Sequence, residues 1–110
     1  MQRAGYIYSV LVEIDPQKGR DYETWLHDKH VHEVTSFDGI LWAQKVALDE
    51  PAEDGWKRFL VLYGMVSKET LSAYQASDLF KSFAADWEKF RGLFRLQRFH
   101  GPVDLQINIK

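Results

Sequence analysis

The chain predicts an α+β domain in which helices cover one face of a four-stranded antiparallel sheet. Three observations carry this reading: period-two alternation in four short runs, two helical apolar stripes between them, and the order β-α-β-β-α-β in which they follow one another. Its 110 residues suit a single domain spanning 1–110, large enough to bury roughly two-thirds of the unfolded surface.

The first strand spans 6–14, where Tyr6, Tyr8, Val10, Val12 and Ile14 alternate with Ile7, Ser9, Leu11 and Glu13. Asp15-Pro16 ends it, because proline has no N–H for the ladder. A helix is expected over 18–35, stopped by Ser36-Phe37-Asp38-Gly39. A second strand follows at 40–48, with Ile40, Trp42, Gln44, Val46 and Leu48 on one side. The polar stretch 49–55 reads as a loop and 56–66 as the third strand. Ser67 is placed to cap a short helix reaching Ala76. Ser77 or Asp78 caps another, with Phe80, Phe83, Ala84, Trp87 and Phe90 on one face and Gly92 at its end. The fourth strand is 93–99. In the tail, Val103, Leu105, Ile107 and Ile109 alternate with Asp104, Gln106 and Asn108, as a fifth short strand would.

Composition narrows the chemistry. With no cysteine, disulfides, thiolate metal sites and thiol nucleophiles are excluded. A net charge of -2 gives no general attraction to nucleic acid or anionic membrane. No spanning helix, signal-peptide layout, phosphate loop, nucleophile elbow or dinucleotide fingerprint is present, so a cytoplasmic protein acting on a small molecule is expected. Aromatic residues make up 15% of the chain; they fill cores and also line small-molecule pockets.

Residues 25–34 hold three of the four histidines. On a helical wheel Leu26, His30 and Val34 share one row beside Tyr22, so His30 sits in the stripe that turns inward. An imidazole there suits general acid/base work at neutral pH, with Glu33 one turn away to orient or charge it. Tyr8 and Tyr63 are candidate hydroxyl donors, and Trp42, Phe83 and Trp87 candidate walls of a substrate pocket between sheet and helices. His27, His30, Glu33 and His100 could be assembled as metal ligands, but His27 and Glu33 spread over about 120° of the wheel, so no metal is expected. Trp25 lies at least ~100° from the stripe's centre and is read as a packing residue.

The order of elements matches the ferredoxin-like split βαβ motif. The strands at 6–14 and 56–66 are apolar on both faces, while helices on one side hide only one of them. The bare face asks for a partner, and a second copy of the chain is the simplest one. At this point the chain resembles the dimeric α+β barrel superfamily, and within it the EthD-type proteins. The resembling pattern is Trp25, His30, Glu33, Val34 and Gly39, then Ala43 in the next strand, with departures at His32 and Asp38, where proline often stands. Ser77-Asp78-Leu79-Phe80 and Phe83 also resemble the aromatic helix of antibiotic-biosynthesis monooxygenases. The resemblance implies a homodimer whose sheets face each other.

Together these readings give a cofactor-independent enzyme. His30 would drive an isomerisation, elimination or cyclisation of a small apolar cyclic or aromatic metabolite. Two alternatives remain open: a cofactor-free monooxygenase of phenols, and a non-catalytic dimer holding a small ligand or haem through His30 or His100.

Overall fold

In the computed structural model, which describes residues 2–109, the elements run β1 (Tyr6–Ile14), α1 (Arg20–Trp25), a π-helical turn (Leu26–His30), α2 (Val31–Thr35), β2 (Ile40–Ala47), β3 (Lys57–Met65), α3 (Lys68–Gln75), α4 (Asp78–Ser82), α5 (Ala84–Lys89) and β4 (Phe94–Pro102). The strands form one antiparallel sheet in the order β2-β3-β1-β4, with β1 and β3 inside. This is the ferredoxin-like α+β arrangement that the alternation predicts.

Register decides which side chains meet. Tyr8 stands opposite Tyr63 on one side and His100 on the other, and Val10 stands opposite Val61 and Arg98. Tyr6, Tyr8, Val12 and Ile14 of β1 therefore share the helix-facing side with Phe59, Val61, Tyr63 and Met65 of β3, and all eight are buried. Tyr22, Leu26, Val34, Tyr74, Phe83 and Phe90 come down on them from the helices. On the other side Ile7, Leu11, Leu60 and Leu62 are only half-buried, and Val46 and Phe99 are exposed.

Four local features depart from the expected pattern. The helix over 18–35 starts at Arg20 and contains the π turn at its centre. The last helix is two short ones meeting at Phe83, which closes α4 and opens α5 while its ring is buried. A bend there carries Phe83 to His30 and Phe90 to Tyr22, whose ring centroids lie 4.4 and 5.4 Å away. Of the two serines placed as caps, Ser77 accepts from the Phe80 N–H at 3.1 Å, whereas the Ser67 side chain makes no capping bond.

The fifth strand is not formed. Val103 N–H still donates to Gly5 C=O at 3.0 Å, and beyond it no strand is present among the described residues. The β4 register sets Pro102 opposite Tyr6, the first residue of β1, so the tail runs beyond that strand and β1 offers it no further partner. Leu105, Ile107 and Ile109 are 77, 71 and 92% exposed.

Candidate functional site

Between the helix-facing side of the sheet and the helices lies a cavity of about 30 Å³. Its floor is Tyr8, Val10, Val12, Val61 and Tyr63. Tyr22, Leu26, His30 and Val34 form one wall, and Tyr74, Phe80 and Trp87 the opposite one. Arg98 and Leu96, on the edge strand β4, complete the rim. Of the residues named from sequence, His30, Tyr8, Tyr63 and Trp87 are thus brought together, and Phe83 backs the cavity by packing edge-on against the His30 ring.

His30 reaches this position through the π turn. An i, i+5 pair in a regular α-helix points about 140° apart. Here the wider turn stacks Trp25 on His30, with centroids 4.4 Å apart and planes 21° from parallel. With Phe83 on its other flank at 4.4 Å, the imidazole is clamped between rings. Its Nδ1 is buried with no hydrogen-bond partner among the described residues. Burial, reinforced by the Arg98 guanidinium, lowers the His30 pKa to about 4. At neutral pH the ring is uncharged.

Arg98 is the charged side chain that the sequence reading overlooked. Its Nε donates to the Tyr8 hydroxyl oxygen at 2.9 Å, which leaves that hydroxyl's own proton free to be donated. Burial raises the Tyr8 pKa against the opposing pull of Arg98, so the phenol stays protonated. Burial likewise raises Tyr63, Tyr22 and Tyr74. Tyr8 and Tyr63 stack with centroids 5.8 Å apart. The cavity is therefore an apolar, tyrosine-lined space with one neutral base and one cation.

Two expected residues lie elsewhere. A bulge between Ile40 and Trp42 shifts the phase of β2, so Ile40 faces the helices while Trp42, Gln44 and Val46 face the bare side. Trp42 lies over Gly64 and donates from Nε1 to Gln2 C=O at 2.8 Å, away from the cavity. Glu33 does not line the cavity; its Oε1 is buried without a partner among the described residues. His27 is exposed beside Lys45, with Nδ1 3.1 Å from Nζ, and His32 is exposed. His100 bonds through Nδ1 to the Tyr6 hydroxyl at 2.7 Å. Among the described residues no three His, Cys, Asp or Glu side chains group as metal ligands would. Among the described residues no helix is long and apolar enough to cross a membrane.

Solved structures share this architecture. An EthD family protein from Bacillus halodurans C-125 is 15% identical, with a TM-score of 0.62 over 86% of this chain and 96% of that one. A dimeric ferredoxin-like protein from an uncultured marine organism is 12% identical, with a TM-score of 0.68 over 96 and 100%. The haem-degrader MhuD from Mycobacterium tuberculosis, solved with two haems in its active site, is 18% identical, with a TM-score of 0.64 over 94 and 99%. At these identities the likeness is one of fold, and the fold is the one that the resemblance to EthD-type and ferredoxin-like dimeric proteins implies. No curated protein matches the sequence. Residues 5–98 match the family described as a domain of unknown function, DUF4286, and the chain belongs to that family.

Proposed function

We propose that the cavity binds a small, largely apolar cyclic or aromatic metabolite, and that His30 moves a proton to and from it. The observation that carries this reading is the clamped, neutral imidazole with an unpartnered Nδ1 in a tyrosine-lined space. His30 takes a proton from a carbon next to a carbonyl. The C–H electrons form the enolate C=C bond, and the carbonyl oxygen takes up the charge. The Tyr8 hydroxyl, polarised by Arg98, donates to that oxygen. Return of the proton at another carbon completes an isomerisation, and departure of a leaving group completes an elimination. Because the cavity measures only about 30 Å³, ligand entry requires the half-buried Phe80 and Trp87 to turn outward.

A small ligand is favoured over a haem, because the closed cavity is far below the ~300–1,000 Å³ of ordinary ligand pockets and His30 is held between two rings. The working form is proposed to be a homodimer with the bare sheet faces together. The half-buried leucines of β1 and β3 support it, and a dimeric protein shares the fold.

Deuterium wash-in at the enolisable carbons of a panel of cyclic ketones, followed by NMR, tests the reaction. The native protein should catalyse exchange in at least one of them, and His30→Gln should slow it by roughly a hundredfold or more. His27→Gln and His32→Gln should leave it unchanged. Exchange retained in His30→Gln would place the site elsewhere.

A further inference from the structure

The geometry points to a carboxylate on the ligand, held by Arg98 at the rim of the cavity. This inference rests on the proposed ligand site and adds the chemical class of what enters it. Arg98 is the only charged side chain among those lining the cavity. It is fixed from two sides: Nε donates to Tyr8 at 2.9 Å, and the guanidinium lies 5.7 Å from the Trp87 ring centroid.

Its charge is unmatched. The arginines at 58, 91 and 95 each reach a carboxylate, and Arg95 reaches two, Glu13 and Asp54. Arg98 forms no ion pair among the described residues. With Nε bonded to Tyr8, the two terminal nitrogens offer a planar fork, the geometry that matches a carboxylate. The guanidinium is exposed at the rim of the cavity, where its positive charge is open to an anion that enters. An acid group at Arg98 would leave the ring of the same ligand directed inward between Tyr8 and His30. The preferred ligand is therefore a small cyclic or aromatic carboxylic acid rather than its neutral counterpart.

Benzoate and benzamide, nearly equal in shape, separate the two terms. Each is titrated into the native protein, with affinity read from tryptophan fluorescence and location from amide shifts around Tyr8, His30 and Arg98. Benzoate should bind at least tenfold tighter than benzamide, and raised salt should narrow the gap. Arg98→Gln should abolish the preference, while Arg98→Lys, which keeps the charge and loses the fork, should keep part of it. Equal affinities in the native protein, or a preference that survives Arg98→Gln, would overturn the carboxylate inference and leave the cavity reading intact. If neither probe perturbs the residues around the cavity, the proposed ligand site itself falls, and this inference falls with it.

Discussion

His30 concentrates most of the functional argument in one side chain. Its folded pKa of about 4 lies below the ordinary ~6.5, so between those values the unfolded chain binds more protons than the folded one. The stability this neutral imidazole brings is fully present above pH 6.5 and is lost as the pH falls toward 4. Urea unfolding at pH 7 and pH 4.5 should show a smaller acid loss in His30→Gln than in the native protein, by roughly 2 kcal/mol. Equal losses would mean that the imidazole is not desolvated in the fold. Its inward position was legible in the sequence because Leu26, His30 and Val34 share a row. The stacking of Trp25 on it was not, because a wheel at a fixed 100° per residue has no place for a π turn. Arg98 escaped for a different reason. A lone arginine on a strand rich in basic residues reads as solvated, although period two already put it on the same side as Leu96.

At the scale of elements, alternation fixed each strand to within a few residues but was blind to a single inserted residue. The β2 bulge reverses Trp42 from cavity wall to outer-face packing, and Gly64 on β3 makes room for it. A Cβ at position 64 would stand 2.2 to 2.5 Å from the Trp42 ring. Gly64→Ala should therefore displace the indole and destabilise the fold by about 1–3 kcal/mol, with the Trp42 contact to Gln2 lost. A thermal midpoint equal to that of the native protein would show that the ring yields freely. The break at Phe83 was also hidden from sequence, since the ring row from Phe80 to Phe90 fits one straight helix equally well. Only the need to bring Phe83 onto His30 and Phe90 onto Tyr22 distinguishes two helices from one.

For the whole molecule, the open question is what meets the second face of the sheet. Two-sided apolarity was readable in β1 and β3, and the structure shows the consequence: Leu60 and Leu62 remain half-exposed opposite the helices. A stable partner would have to cover about 800 Å² on each copy. Leu62→Glu should leave secondary structure intact and convert a dimer to monomers in sedimentation at micromolar concentration. Removal of residues 103–110 should weaken the same dimer if the exposed alternating tail pairs with the other copy. A native protein that sediments as a monomer would contradict the assembly while leaving the cavity argument standing. The tail's failure to pair within its own chain follows from register, which periodicity in the tail alone does not reveal.

The central claim is that His30 is a neutral base facing the cavity, and the NMR titration of its imidazole nitrogens tests this most directly. Across pH 3 to 8 His30 is expected to titrate near pH 4. A midpoint near the ordinary ~6.5 of a solvated histidine would contradict it.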